Sequence, residues 1–123
     1  MSFPVENVPD SDSVFMRAHQ NYMVNGQLRP GVFTAHDGAM SVDWNKYSEP
    51  KQTLDRARNP KQNAVIEMNV GRIRAVPQLD VLHTPEIENR AHCDVPLPES
   101  GEDLTEARFN LKKIATMVIP LSA

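Results

Sequence analysis

The chain has 123 residues, of which 40% are hydrophobic, and a formal net charge of −3. This length suits one domain with a single hydrophobic core. The 13 basic and 16 acidic residues are mixed along the chain, which excludes the basic stripe of a protein that binds duplex nucleic acid, and no stretch reaches the roughly 18 apolar residues of a membrane span.

The start of the chain is polar. Residues 1–13 are rich in Pro, Asp and Ser, a composition that favours a flexible segment over a packed one. They also lack the basic and then apolar order of a secretory signal. We therefore predict a flexible segment over residues 1–13, a single domain over residues 14–123 and a cytoplasmic location.

Short strands and turns are predicted for the first part of the domain. Residues 14–19 form an apolar run in which Arg17 and His19 fall on one face, as a strand with a period of two places them. Asp37-Gly38 stands between two strand-like runs within residues 32–44, and this dipeptide favours tight turns. The pattern predicts a hairpin or a close relative of one.

The middle of the chain alternates short helices with strands. Ser48 is placed to cap a short helix that ends at Asn59-Pro60. Residues 64–68 and 79–83 are predicted strands, joined by a short helix that Asn69 caps. One long strand over residues 64–76 is the alternative, because its glycine and β-branched residues leave the period undecided.

The end of the chain carries a helical pattern. Residues 91–95 predict one more strand, which a Pro-rich linker follows. Apolar residues then recur at helical spacing from Leu104 to Val118, and Ser100 has the spacing of a capping residue. Together the elements predict an α+β fold, in which a small mixed or mainly antiparallel sheet is packed by a C-terminal helix and one or two short helices.

Histidines stand at or near the ends of several short apolar runs, where folds tend to gather reactive groups. General acid–base catalysis needs two proton-exchanging groups and usually a cation that holds negative charge. We predict that His19 and His92 exchange protons in such a site. Arg17 would bind a phosphate or carboxylate, and Asp43 would orient an imidazole, with Asn89 beside His92. In the alternative, Arg17 pairs with Asp43 between neighbouring strands and the histidines bond to the backbone.

Other chemistries have less support. Cys93 is the single cysteine, so it forms no internal disulfide, and its neighbours predict a core position. The sequence has no closely spaced Cys or His pair of a zinc site and no Gly-rich phosphate loop, so we predict neither a metal nor a cofactor. Ser41 lacks the Gly-x-Ser-x-Gly context of a hydrolase nucleophile.

Four fragments carry a resemblance. They are Arg17-Ala18-His19, Arg29-Pro30-Gly31-Val32-Phe33, Met40-Ser41-Val42-Asp43 and Asn89-Arg90-Ala91-His92. In this order they resemble a family of small bacterial proteins of uncharacterised function, over a stretch from about residue 14 to residue 118. The family has a proline where this chain has Arg90. The resemblance implies a bacterial source and one common site for Arg17, His19, Asp43, Asn89 and His92, and it implies no settled activity.

Three functions fit the sequence. The first is a non-catalytic accessory or binding module of a larger assembly, with a protein partner or self-association, because the chain is small and has no catalytic signature. The second is a small enzyme that acts on a phosphorylated or other anionic substrate by histidine-based acid–base chemistry. The third is a toxin or immunity-type component in which the same residues serve recognition. The sequence alone does not decide whether the protein is an enzyme.

Overall fold

An antiparallel sheet of six strands lies at the centre of the computed structural model, which describes residues 2–122. The strands are β1 Ser13–His19, β2 Met23–Val24, β3 Gln27–Leu28, β4 Ala39–Trp44, β5 Asn63–Asn69, β6 Leu82–His83, β7 His92–Pro96 and β8 Thr116–Ile119. The α-helices are α1 Pro50–Asp55, α2 Val70–Arg74 and α3 Gly101–Ile114. The sheet has the order β6-β7-β4-β1-β5-β8, and β2 pairs with β3 in a separate hairpin. The predicted α+β class is confirmed.

Several local predictions are confirmed. Predicted strands occur as β1, β4, β5 and β7. Asn69 caps α2, because its side chain accepts the N–H of Arg72, so the alternative of one long strand over residues 64–76 is wrong. Within residues 79–83 only Leu82–His83 pairs as a strand. Leu79 and Val81 of that run reach the core from an irregular segment.

The predicted strand at residues 32–36 is wrong. A 3₁₀ turn forms over Pro30–Val32 because proline favours the start of such a turn. The Thr34 hydroxyl then donates to a carbonyl of the same turn at 2.6 Å. The tight turn that follows is as predicted, since Asp37 and Gly38 take left-handed conformations with φ of 54° and 88°. This segment is a loop beside the sheet.

The N-terminal ends of α1 and α3 are not capped by the serines that the sequence predicts as capping residues. Glu49, rather than Ser48, caps α1 through a capping box. Ser100 precedes α3, yet its side chain makes no capping hydrogen bond. Helix α3 ends at Ile114, and Val118, which was predicted on its apolar face, lies in β8. The β-branched residues of this last run favour a strand that pairs with β5.

Residues 2–12, here called the N-terminal strap, pack along the domain. Val8 is 4% exposed within the core, and Arg74 donates to its carbonyl oxygen at 2.6 Å. The backbone N–H of Glu6 donates to Nδ1 of His83 at 2.9 Å. These contacts attach the strap to the domain at Glu6 and Val8. The predicted flexibility of residues 1–13 stays a prediction, and Met1 lies outside the described residues.

The sheet has two unlike faces. Alternate residues of β1, such as Val14 and Met16, belong to the core that α2 and α3 cover. The residues between them, Phe15 and Arg17, point to the opposite face, which α1 contacts over β1 and β5. Ser41 of β4 is exposed on this second face. The short helix thus leaves part of the second face open.

The pairing between β1 and β4 is short, although both strands are long. The two strands pair only at Val14↔Trp44 and Phe15↔Asp43, whereas β1 pairs with β5 along its whole length. Beyond Phe15 the two strands therefore separate and leave a gap in the sheet. No helix within residues 2–122 is long and apolar enough to cross a membrane.

Candidate functional site

A cleft of about 180 Å³ lies where β1 and β4 separate. Its walls come from the two strands, from the loop that precedes β4 and from α1. Its polar lining residues are Arg17, Thr34, His36, Ser41, Asp43 and Thr53. The cleft is small and six of its eleven lining residues are polar, which suits a small polar group rather than a large apolar ligand.

Asp43 is buried at the inner end of the cleft and is 4% exposed. Its Oδ2 accepts hydrogen bonds from Thr53 Oγ1 and Arg56 Nη1, both at 2.8 Å. Its Oδ1 accepts from Asn89 Nδ2 at 2.8 Å. Arg56 neutralises the carboxylate, and the three donors satisfy it, which is what a buried charge requires. Asp43 therefore joins α1 and the segment before β7 to the sheet.

Arg17 is the cleft-lining charged residue that forms no ion pair within residues 2–122. Its Nη1 donates to the carbonyl oxygen of Thr53 at 3.0 Å. Among residues 2–122 no carboxylate forms an ion pair with it. The alternative that Arg17 pairs with Asp43 is wrong, because Arg56 takes that place. The guanidinium keeps donors available for another anion.

His92 is held in one orientation at the border of the cleft. Its Nδ1 lies 3.0 Å from the carbonyl oxygen of Thr84 and 2.9 Å from the hydroxyl of the same residue. A carbonyl oxygen only accepts, so this contact favours the tautomer with the hydrogen on Nδ1. Its Nε2, 3.1 Å from Ser41 Oγ, is then left to accept the serine hydroxyl hydrogen. The predicted role of Asp43 in orienting an imidazole is wrong, because the Thr84 carbonyl does this.

The other histidines have separate environments. His19 accepts the N–H of Asn21 at 3.1 Å and caps the turn after β1. Neither His19 nor His92 is among the residues that line the cleft. His92 reaches its border through the hydrogen bond to Ser41, whereas the hydrogen bond of His19 is to the turn after β1. His83 is buried against Trp44, and its two ring nitrogens bond to backbone groups. His36 lines the cleft from the loop before β4.

Ser41, Thr53 and Arg56 were not predicted as site residues. The alternation of β4 puts Ser41 on the same face as Asp43, and this spacing could have identified the serine from the sequence. Thr53 and Arg56 reach Asp43 only because α1 folds back over the second face of the sheet. The local sequence of α1 contains no sign of that contact.

Cys93 lies on the core face of β7 and is fully buried. Burial, together with the nearby carboxylates of Asp43 and Asp94, raises the pKa of the Cys93 thiol to about 12. At neutral pH the sulfur is therefore a thiol rather than a nucleophilic thiolate. The predicted core position of Cys93 is confirmed.

Comparisons of the chain with protein-family models, with curated proteins and with solved structures gave no match. The resemblance to small uncharacterised bacterial proteins thus stays a prediction. Within residues 2–122 no group of three or more His, Cys, Asp or Glu side chains is arranged to hold a metal ion.

Proposed function

We propose that the protein is a small enzyme that binds a phosphate or another small anionic group in the cleft between β1 and β4. Arg17 binds the anion, and His92 exchanges protons with it through Ser41. One observation carries this proposal: the guanidinium without an ion-pair partner lines the same cleft as the serine that is hydrogen-bonded to His92. The predicted bacterial source and cytoplasmic location belong to the same proposal.

The charge distribution in the cleft supports binding of an anion. Asp43 is the carboxylate that lines the cleft, and Arg56 already neutralises it. Arg17 then contributes a positive charge that makes no ion pair among residues 2–122, and His36 adds a second group that becomes cationic when protonated. The carboxylates of Asp94 and Glu67 are on the same face of the sheet but do not line the cleft. The volume of about 180 Å³ is below the roughly 300 Å³ at which pockets for drug-sized ligands begin. The cleft thus favours a compact anionic group.

The hydrogen bonds of His92 support a role in proton transfer. A general base needs an unprotonated nitrogen within hydrogen-bond reach of the proton that it removes. Nε2 has this position relative to Ser41, and the Thr84 carbonyl fixes the other ring nitrogen. His92 keeps its predicted role in this proposal, whereas His19 has no part in it.

Isothermal titration calorimetry with inorganic phosphate tests the anion-binding step. We expect wild-type protein to bind phosphate and Arg17→Gln to bind it roughly tenfold more weakly or worse, because charge-assisted hydrogen bonds are lost. Arg29→Gln is the matched control, since Arg29 is exposed and lies in a different surface pocket. Equal affinity in wild type and Arg17→Gln, or no binding by wild type, would contradict the proposal.

A second candidate function is that of an accessory module that associates with a second copy of this chain. Strand β8 is the last strand of the sheet, and its residues Met117 and Val118 are 36% and 37% exposed. Edge strands that resist pairing usually carry charged residues, and β8 has none. Its sequence therefore favours antiparallel pairing of two β8 strands.

Light scattering after size-exclusion chromatography tests this second candidate. A dimer is expected for wild type, and Val118→Lys should be monomeric because it puts a charge on the paired edge. Ile87→Lys is the control, since Ile87 is 78% exposed at a site away from β8. A monomeric wild type at all concentrations would remove this candidate.

A further inference from the structure

We propose that Ser41 is the nucleophile of the cleft and that the enzyme transfers a phosphoryl group from a phosphate monoester through a phosphoserine at this position. This inference rests on the proposed function, since it needs the anion to bind at Arg17. It adds the reaction class, the attacking atom and the covalent intermediate.

The surroundings of Ser41 meet the requirements for an activated serine. Such a residue needs an adjacent base, and the base needs a third group that orients it. The hydroxyl is exposed on β4, and its Oγ lies 3.1 Å from Nε2 of His92. The Thr84 carbonyl, 3.0 Å from Nδ1, is the orienting group. The three groups come from separate positions in the chain and converge at the border of the cleft.

The register of the sheet places Arg17 across the cleft from Ser41. Phe15 pairs with Asp43, so two residues farther along the antiparallel strands Arg17 and Ser41 fall at opposite positions on the same face. The strands have separated at this level, and the cleft that both side chains line lies between them. A group bound to the guanidinium is therefore the group next to the serine hydroxyl.

This juxtaposition favours a phosphoryl group as the reacting centre. Because Arg17 and Ser41 face each other across the cleft, the anion that Arg17 binds is the group nearest to the serine hydroxyl. The charged group must then also be the electrophile. A phosphate monoester meets this condition because its negative oxygens are bonded to the phosphorus that is attacked, whereas the carbon of a free carboxylate is a poor electrophile. Arg17 would hold these oxygens and stabilise their charge in the transition state.

The reaction is balanced by a serine, a histidine and one water molecule. Ser41 Oγ forms a bond to phosphorus as the ester oxygen leaves, and the serine proton passes through His92 Nε2 to that oxygen, which departs as an alcohol. Water then attacks the phosphoserine and gives one proton to His92. The serine oxygen leaves phosphorus and recovers this proton, and inorganic phosphate is released. No oxidant or reductant takes part.

Incubation of the full chain with 4-nitrophenyl phosphate tests the inference. We expect release of nitrophenolate and, after rapid denaturation at neutral pH, peptide mass spectrometry that finds one phosphoryl group on Ser41. Ser41→Ala should lose the label and at least about 100-fold of the turnover. Its affinity for inorganic phosphate should stay within about twofold of wild type, because Arg17 is intact. Ser100→Ala, an exposed serine outside the cleft, should retain both label and turnover.

The outcomes separate the two proposals. If phosphate binds through Arg17 but Ser41 carries no phosphoryl group, the nucleophile is overturned and the anion site stands. A phosphoryl group on His92, or turnover that Ser41→Ala retains, also overturns the inference. Absence of phosphate binding by wild type defeats both proposals together.

Discussion

Asp43 shows how one buried residue can determine the form of the cleft without reacting in it. Its carboxylate accepts hydrogen bonds from the side chains of Thr53, Arg56 and Asn89. These donors come from α1, from the residue that follows it and from the segment before β7. The carboxylate thus holds α1, which is one wall of the cleft, and the segment before β7 against β4.

Replacement of Asp43 by alanine should lower the free energy of unfolding by about 2–4 kcal/mol, because three buried or half-buried donors lose their acceptor. Chemical denaturation followed by the fluorescence of Trp44 measures this loss. Asp55→Ala is the control, since Asp55 makes an exposed ion pair with Lys51 and should change the free energy by less than about 1 kcal/mol. Equal losses in the two variants would show that Asp43 does not join these segments.

At the scale of elements, the N-terminal strap is held by charge as well as by the burial of Val8. The Glu6 carboxylate accepts from Lys46 Nζ at 2.6 Å and from the Tyr47 hydroxyl. These two hydrogen bonds, that of Lys46 first, hold the pKa of Glu6 below its ordinary value of 4.5. A glutamate whose pKa is lower in the folded than in the unfolded chain stabilises the fold when it is ionised.

The stabilisation by Glu6 should therefore depend on pH. It is fully present above the ordinary pKa of 4.5 and is lost as the pH falls through the lower pKa of the folded chain. Wild type should have a higher urea midpoint than Glu6→Gln at pH near 7, and the difference should close on acidification. A difference that stays constant from pH 7 to about 3 would show that the carboxylate charge does not hold the strap.

Helix α3 supplies the apolar layer on the other side of the sheet. Leu111 is fully buried, whereas Phe109 is 53% exposed on the same helix. Leu111→Ala should cost about 2–5 kcal/mol of unfolding free energy, because a cavity opens in the core. Phe109→Ala should cost under about 1 kcal/mol. A melting temperature of Leu111→Ala equal to that of wild type would contradict this packing.

At the scale of the whole molecule, the sequence predicts the elements better than their arrangement. The alternation of β1 and the capping of α2 by Asn69 are local signals, and both occur as predicted. Residues 32–36 have strand-like composition, but the preceding Pro30 starts a 3₁₀ turn and the segment becomes a loop. Residues 116–119 end a helical pattern, yet they pair with β5. Here tertiary pairing overrides the local periodicity.

The candidate site follows from contacts that local patterns do not contain. Arg17, Asp43, Asn89 and His92 were predicted together, and the fold puts them in or beside one cleft. Asp43 is neutralised by Arg56 rather than by Arg17, because α1 packs over the sheet and brings Arg56 to the carboxylate. The cleft itself exists because β1 and β4 separate, which no periodicity in either strand predicts.

Binding of an anion at the cleft between β1 and β4 is tested most directly by nuclear magnetic resonance. Amide ¹H–¹⁵N spectra of the full chain would be recorded during titration with inorganic phosphate. We predict saturable shifts at Arg17, His36 and Ser41 that are lost in Arg17→Gln. Shifts confined to exposed lysines such as Lys51 and Lys61, or identical titrations of wild type and Arg17→Gln, would contradict an anion site in this cleft.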